Sequence, residues 1–196
     1  SHIVITSVNR DELPDGGAEI WGETIRLARL SAPQKTIEVL VPDFKGKKED
    51  IKKVLDAEPH CFDHNIETVE RLQKKVRPQA GYSKSLFVLK FANRNYPQLV
   101  TKSSVMVGHG ESEPELLKVF QDLRDVGVDI LTIGQYLRPS KDHLPVIRYY
   151  SPEEFSALQK EAEAMGFAAV VSGPLVRTSY HAAEAYEKAL LKMRSL

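Results

Sequence analysis

The chain has 196 residues, with 27 basic and 27 acidic side chains, so its formal net charge at pH 7 is zero. That balance argues against a generally basic nucleic-acid-binding protein, and no apolar run approaches the roughly 20 residues that span a bilayer. The length suffices to bury a substantial core, and a hydrophobic content of 42% is ordinary for a globular protein. Composition therefore favours one globular domain over residues 1–196, with neither nucleic acid nor membrane as a partner.

Cysteine usage limits the chemistry further. Cys61 is the only cysteine, so the chain can form no intrachain disulfide and no local cluster of thiolate ligands. We expect Cys61 to pack as a small hydrophobic side chain, with a reactive thiol as the alternative. The first residues are typical of a strand, without the charged start and apolar centre of a signal peptide.

Short apolar runs alternate with amphipathic segments along the chain. The predicted strands, several of them continuously apolar as in sheets covered on both faces, are Ile3–Val8, Thr36–Val41, Cys61–Ile66, Thr101–Val107, Asp129–Gly134 and Ala168–Ser172. The predicted helices are Ala18–Leu30, Lys48–Ala57, Glu67–Lys75, Ser83–Asn93, Glu115–Val126, Pro152–Met165 and His181–Met193. This alternation predicts a parallel α/β sheet. Because a closed eight-fold barrel needs about 250 residues, we expect a partial, TIM-like (β/α) barrel.

Polar residues follow each predicted strand. Active sites of parallel α/β folds lie at the carboxyl ends of the strands, so this concentration of carboxylates, amides and glycines indicates an enzyme. The runs are Thr6–Gly17, Pro42–Phe44, His64–Thr68, Gly108–Ser112, Gly134–Ser140 and Gly173–Tyr180.

Each run also has a purely structural interpretation. Asp15, Gly16 and Gly17 are equally typical of a tight turn with positive φ. The Gly108–Glu111 loop lacks the third glycine and the Lys-Ser/Thr pair of nucleotide fingerprints, although its glycines would let a ligand approach. His64 and His109 lack zinc-ligand spacing, and for both we favour a hydrogen-bonding role in a loop.

Two further positions keep alternatives open. Asn65 and Glu67 are two residues apart, so in extended geometry both face one way and could address a polar ligand; equally, Glu67 or Thr68 could cap the next helix. Lys102 could reach an anionic substrate or simply be solvated. These residues alone predict an α/β-barrel enzyme of unknown reaction.

Taken together, separated blocks of the sequence resemble lipoyl synthases, in the same order. They are Thr6–Ala18, Ile37–Phe44, His64–Thr68, Val107-Gly108, Gly110-Glu111, Asp129–Leu137, His143–Val146 and Ser172–His181. The last block reads Ser-Gly-Pro-Leu-Val-Arg-Thr-Ser-Tyr-His. The resemblance implies a radical S-adenosylmethionine enzyme with a partial (β/α) barrel and two 4Fe–4S clusters. One cluster cleaves S-adenosylmethionine, and the other is consumed as the source of sulfur for carbons 6 and 8 of a protein-bound octanoyl chain.

The resemblance also implies roles for particular residues. Ser179 would be the oxygen ligand of the auxiliary cluster, framed by Arg177 and Tyr180, and an alkoxide is a harder iron ligand than a thiolate. Thr178 stands where the family usually has serine. The Asp15–Gly17 turn would receive the methionine amino group. The wall around S-adenosylmethionine would be formed by Asn65, Glu67, Gly108, Gly110 and Glu111, with His109 in place of an apolar residue.

The resemblance implies octanoylated lipoyl carrier domains as partners, namely the glycine cleavage H protein and the E2 subunits of 2-oxoacid dehydrogenases. It implies a cytoplasmic protein, or a mitochondrial one in a eukaryote. Both cysteine triads of the family would precede Ser1, so we expect a C-terminal portion, with an extension over about 168–196, that lacks the first barrel strand. By itself it should be inactive and bind no cluster. The alternatives are a non-catalytic, carrier-binding remnant, and an ordinary barrel lyase or aldolase that uses Lys102.

Overall fold

The computed structural model describes residues 1–193, which form one open sheet of parallel strands with helices on both faces. The strands are β1 (His2–Thr6), β2 (Thr36–Leu40), β3 (Cys61–Asp63), β4 (Val100–Val107), β5 (Ile130–Gln135) and β6 (Ala169–Gly173). Their spatial order is their chain order, β1-β2-β3-β4-β5-β6. Since β1 and β6 do not pair with each other, the barrel is open, and the predicted partial (β/α) barrel is confirmed.

The helices are α1 (Ala18–Ser31), α2 (Lys48–Leu55), α3 (Gln73–Val76), α4 (Tyr82–Asn95), α5 (Glu113–Asp125), α6 (Pro152–Ala164) and α7 (Ala182–Met193). The Ser151-Pro-Glu-Glu154 sequence starts α6 as a capping box, in which Ser151 and Glu154 satisfy each other's backbone N–H groups. None of the helices in residues 1–193 is long and apolar enough to cross a membrane.

The helix predicted over Glu67–Lys75 begins three residues too early, since helical structure covers Glu70–Leu72 and Gln73–Val76. Glu67 has a φ of +66°, and its backbone continues the pairing with β4: its N–H donates to Ser104 O (2.9 Å), and its carbonyl accepts from Met106 N–H (2.8 Å). Helical structure begins only at a 3₁₀ turn, Glu70–Leu72. Two predicted strands also end early, because β1 stops at Thr6 and β3 at Asp63. Local apolar content does not reveal where a ladder ends.

The outer face of the sheet carries the larger part of the core. Phe62 from β3 joins α1, α2 and α4 residues in one cluster, while Val105, Leu131 and Ile133 meet α5 and α6 in another. Phe120 of α5 is fully buried there. Burying a side chain of this size is worth about 1.5–3 kcal/mol, so this face supplies most of the apolar stabilisation.

The inner face of the sheet is covered at its amino-terminal end by α7. Ala185, Tyr186 and Ala189 of this helix form a cluster with Cys61, Val100, Ile130 and Ala169 from the strands. The alanines fall at helical spacing on one side of α7, so the helix lies close against the strands. Above this layer the inward-facing positions turn polar, and they lead up to the edge where the predicted site lies.

Candidate functional site

The segment after β6 is attached to the rest of the sheet through Thr178. The Thr178 carbonyl accepts a hydrogen bond from Lys102 Nζ (2.6 Å), and its Oγ1 accepts one from Asn65 Nδ2 (3.1 Å). Thr178 is itself buried. Nearby, the Val176 carbonyl passes so close to Gly134 that a Cβ there would lie 2.3 Å from its oxygen. The loop following β6 is therefore held over β3, β4 and β5.

The three residues predicted to act around the auxiliary cluster lie on this anchored segment. Arg177, Ser179 and Tyr180 are all exposed, and within residues 1–193 the Ser179 hydroxyl makes no hydrogen bond. Ser179 does not cap α7, because the helix begins only at Ala182 and its first intrahelical hydrogen bond runs from Ala185 N–H to His181 O (3.0 Å). Of two adjacent hydroxyls, that of Thr178 is used for anchoring and that of Ser179 is free.

Asn65 and Glu67 lie together at the carboxyl end of β3, as predicted. Asn65 Nδ2 donates to Glu67 Oε1 (3.0 Å), and the Asn65 carbonyl accepts from Arg77 (2.8 Å). Burial raises the pKa of the Glu67 carboxyl, although Arg77 and Asn65 oppose the shift. Neither Glu67 nor Thr68 caps the following helical turn, whose N-cap is Val69. The pair is thus placed as a polar surface and not as a helix cap.

The Gly108–Glu111 loop follows β4 and is organised from within. The Glu111 carboxylate accepts hydrogen bonds from the N–H groups of Gly108 (2.6 Å) and His109 (2.9 Å) and from the Tyr150 hydroxyl (2.9 Å). Gly108 has a φ of +113°, and a Cβ there would lie 2.2 Å from Gln135 Nε2. The Glu111 side chain therefore holds the backbone of its own loop. The sequence did not predict this structural role, since Glu111 was assigned to ligand binding.

An irregular strap, residues 137–150, covers this loop. Ile147 N–H donates to Gly108 O (2.8 Å), and the Tyr136 hydroxyl donates to Leu144 O (2.9 Å). Gln135, which ends β5 shortly before the strap, binds its far end: the side chain donates to Arg148 O (3.1 Å) and accepts from Tyr150 N–H (3.0 Å). Gln135 was not predicted as a site residue, although an amide ending an apolar strand is a usable signal.

The Asp15–Gly17 turn lies at the carboxyl end of β1 and starts α1. Gly16 and Gly17 have positive φ angles of 64° and 86°, as the turn interpretation predicted. The Asp15 carboxylate accepts from the N–H groups of Gly17 and Glu19, each at 2.9 Å, and the bond from Glu19 is the largest cause of its lowered pKa. A cavity of about 180 Å³ adjoins Gly17 and is lined also by Thr6, Ser7 and Arg10.

The two loop histidines have different environments. His64 is buried, with Nδ1 donating to Val41 O (2.9 Å) and Nε2 accepting from the Ser85 hydroxyl (2.9 Å); burial lowers its pKa to about 4. This matches the predicted hydrogen-bonding role. Both ring nitrogens of His109 are buried without a hydrogen-bond partner within residues 1–193, and the ring stacks on Tyr136 with centroids 4.0 Å apart.

A buried ionic network lies inside the barrel beneath Thr178. Lys102 Nζ contacts Glu38 Oε1 at 2.7 Å, and both side chains are fully buried. Burial by itself would lower the pKa of Lys102, but the carboxyl groups of Asp63 and Glu38 raise it above its ordinary value. His2 Nε2 completes the network at 2.9 Å from Glu38 Oε2. Lys102 is therefore neither solvated nor open to a substrate, contrary to both alternatives considered for it.

The sequence did contain a signal for this network. Glu38 interrupts an apolar run, and Lys102 lies within a strand. Both occupy inward positions, where a charge is costly unless paired. Asp63, also inward-facing and fully buried, has no hydrogen-bond partner for either carboxyl oxygen within residues 1–193. Its pKa is raised well above the ordinary value, chiefly by burial.

The residues described do not fit an iron–sulfur cluster by themselves. No group of three or more His, Cys, Asp or Glu side chains in residues 1–193 is arranged to hold a metal ion. Cys61 is fully buried against α7, and burial raises the pKa of its thiol well above the usual value. Cluster ligation depends on several accessible thiolates, and this thiol is inaccessible. Ser179, by contrast, is accessible and free to act as a single oxygen ligand.

Comparison with known proteins shows which sequences this chain resembles. It is 58% identical over 188 residues to a lipoyl synthase of Rubrobacter xylanophilus, covering 96% of this chain and 59% of that protein. It is 52% identical over 196 residues to a lipoyl synthase of Myxococcus xanthus, covering 100% of this chain and 66% of that protein. No protein-family model matches the chain.

Among solved structures, methylornithine synthase has a similar fold. The TM-score is 0.66 at 11% sequence identity, with 87% of this chain and 56% of that chain covered. The likeness in fold places this chain among the partial (β/α) barrels, the class defined by an open sheet of parallel strands. Within that class, the sequence relationship shows that the chain belongs to the lipoyl synthase family, and it spans 59 to 66% of the length of the two relatives named above.

Proposed function

We propose that this chain is the part of a lipoyl synthase that forms the barrel edge around the reacting octanoyl chain and presents Ser179 to the auxiliary cluster. The observation that carries the proposal is the contrast between two adjacent hydroxyls. That of Thr178 is buried and hydrogen-bonded to Asn65, whereas that of Ser179 is exposed and makes no hydrogen bond within residues 1–193. A purely structural turn does not call for the second hydroxyl. The relatives named lipoyl synthase, at 52 to 58% identity, support the reaction class.

The proposed reaction inserts sulfur at carbons 6 and 8 of an octanoyl group carried by a lipoyl carrier domain. Bound S-adenosylmethionine and the two 4Fe–4S clusters would supply radical and sulfur chemistry. Because the one thiol of this chain does not fit cluster ligation, the proposal places the cysteine ligands in the part of such proteins that this chain does not span.

The residues of this chain would bind and orient S-adenosylmethionine and the octanoyl group. Asn65 and Glu67 offer an amide and a carboxyl at the sheet edge. Arg77, which donates to the Asn65 carbonyl, also lines a depression of about 300 Å³. Its other charged lining residues are Lys45, Lys84, Asp11 and Asp43. Such a mixed set fits a zwitterion, whose ammonium pairs with carboxyl groups and whose carboxylate pairs with Arg and Lys. In this proposal the Asp15–Gly17 turn and the Gly108–Glu111 loop position the ligand through their backbones.

The proposed partners are the octanoylated glycine cleavage H protein and the E2 subunits, and the proposed compartment is the cytoplasm. The lyase or aldolase alternative is not favoured, because a Schiff-base lysine must present a neutral amine to its substrate. Lys102 is fully buried and ion-paired. The carrier-binding remnant remains the second candidate, since the fully buried Cys61 gives the described residues no cluster ligation of their own.

The test uses a complete protein that contains this chain, with both clusters reconstituted anaerobically. Ser179→Ala should lower lipoyl formation at least 100-fold, measured by mass spectrometry of the carrier, while 5′-deoxyadenosine release continues. Thr178→Ser is the matched control, because it keeps the anchoring hydroxyl, and it should retain most activity. The 196-residue chain by itself should take up no stoichiometric iron.

Undiminished lipoyl formation by Ser179→Ala would overturn the role of Ser179. A complete protein that binds the carrier but cleaves no S-adenosylmethionine would instead establish the remnant alternative.

A further inference from the structure

A single ammonium group connects the floor of the barrel to the segment that carries Ser179. Lys102 lies on the inward face of β4 and is fully buried. Its Nζ donates to Glu38 Oε1 (2.7 Å) on β2 and to the carbonyl oxygen of Thr178 (2.6 Å), 64 and 76 residues away in sequence. No regular backbone pairing holds the chain at Thr178, so this contact and the Asn65 bond to its hydroxyl fix the segment.

The ammonium is itself held from several sides. Glu38 also accepts from His2 Nε2 (2.9 Å) on β1, and His2 Nδ1 lies 2.7 Å from the Thr36 hydroxyl. The network therefore crosses β1, β2 and β4 before it reaches the loop after β6. A buried cation that loses one of its acceptors leaves an unsatisfied charged donor, which is expensive. Movement of the Thr178 carbonyl away from Lys102 is opposed for this reason.

The hydrogen bond from Lys102 to the Thr178 carbonyl is not required for the ion pair between Lys102 and Glu38. Buried ion pairs are weak sources of stability, because the cost of desolvating them offsets the attraction, and apolar pairs often replace them at no loss. A Lys102–Glu38 pair kept only for the core would not have to direct a donor at the backbone beside Ser179. The second hydrogen bond of this ammonium, to the Thr178 carbonyl, is what ties the pair to the proposed site.

We propose that Lys102 is a positioning residue, which fixes the Ser179 hydroxyl over the barrel by holding the carbonyl of the preceding residue. This inference rests on the proposed function for its consequence in catalysis, whereas the positioning itself is a property of the chain. Glu38 orients the ammonium, and Asn65 holds the same residue through its hydroxyl. Ser179 is then left with both a set position and a free oxygen.

The first experiment measures the position without any cofactor. In the double variant Lys102→Met, Glu38→Gln, neither partner leaves a buried charge, and hydrogen exchange is followed by mass spectrometry. Amides of residues 177–180 should exchange at least 10-fold faster than in the parent, while peptides from β4 and β5 keep their rates. A merely structural role would raise exchange in the strands as well. The matched control Lys188→Met, on the exposed side of α7, should leave residues 177–180 unchanged.

Unchanged exchange of residues 177–180, or faster exchange that includes β4 and β5 equally, would overturn the proposal. If the double variant does not fold, Glu38→Gln is measured in the same way, since it keeps the ammonium but removes the carboxylate that orients it. The same expectation and the same contrary result apply to that variant.

The second experiment uses the complete, reconstituted protein. The double variant should release 5′-deoxyadenosine at near the parent rate but form at least 10-fold less lipoyl product per molecule released. A ratio of lipoyl product to released 5′-deoxyadenosine equal to that of the parent would contradict the positioning of Ser179 by Lys102. Failure of the proposed function looks different: the parent protein itself would then form no lipoyl product, while the exchange result in the isolated chain would stand.

Discussion

At the residue scale, the inner surface of the barrel holds more charge than its apolar surroundings suggest. Glu38 and Lys102 neutralise each other, and hydrogen bonds from His2 and Lys102 lower the pKa of Glu38 against the opposing effect of burial. Asp63 faces the same interior without a hydrogen-bond partner in the described residues. Of the two buried carboxyl groups near one ammonium, Glu38 therefore has a lowered pKa, whereas burial raises the pKa of Asp63.

This assignment predicts how stability depends on pH. The folded pKa of Asp63 is raised above its unfolded value, so the stability it contributes is complete below the unfolded pKa, about 4, and is lost as pH rises. The loss amounts to at most about 1.4 kcal/mol per pH unit. Asp63→Asn cannot ionise, so its free energy of unfolding should increase relative to the parent between about pH 4 and pH 7, as measured by urea denaturation at several pH values.

Asp56→Asn provides the control of opposite sign. The pKa of Asp56 is lowered, chiefly by its hydrogen bond from Lys52, so its contribution is present at neutral pH and is lost as pH falls. Parallel stability curves for the parent and Asp63→Asn across this range would show that Asp63 is ionised in the folded protein.

At the scale of elements, the loop after β6 packs directly on β5. The Val176 carbonyl occupies the space that a side chain at position 134 would need. Gly134 is therefore required by a close approach of backbone, and its own φ is not in the left-handed region. The contact places Thr178 within reach of Lys102 and Asn65.

Gly134→Ala should consequently displace the 176–178 segment or separate β5 from β6. The added Cβ would lie 2.3 Å from Val176 O, and overpacking of this kind costs about 1–3 kcal/mol of unfolding free energy. Urea denaturation measures the loss, and hydrogen exchange of residues 176–180 locates it. Gly81→Ala, whose Cβ meets only Lys84 Cβ at 3.6 Å, should change stability by less than about 0.5 kcal/mol. Equal stabilities for the two variants would refute the close-approach argument.

At the scale of the whole molecule, α7 completes a barrel whose sheet stays open. The helix contacts β1, β4, β5 and β6, and its alanines cover the inward face of β3 at Cys61. The interior is thus closed below by a helix, while the polar edge stays accessible above. We infer that residues 1–193 behave as one cooperative unit, because strands from both ends of the sheet share contacts with this helix.

Cys61 makes this arrangement measurable. Its thiol is fully buried, so a thiol reagent should modify the native chain only as fast as α7 opens. Ala189→Asp places a charge in the cluster around Cys61 and should increase the modification rate at least 10-fold under native conditions. Leu191→Asp, at a side chain 71% exposed on the same helix, should leave the rate unchanged. Fast modification of the parent chain would mean that α7 does not cover Cys61.

The sequence by itself determined the parallel α/β architecture, because alternating apolar and amphipathic segments depend on neighbours a few residues apart. Chain order also assigned Asn65, Glu67 and the 177–180 segment to one edge, since parallel strands end on the same side. Only the tertiary structure decided that Lys102 pairs with Glu38, that Thr178 is the anchor while Ser179 is free, and that Glu67 extends a ladder and starts no helix. Those outcomes depend on which strands meet and in which register, and local periodicity carries no information about contacts 64 to 113 residues apart.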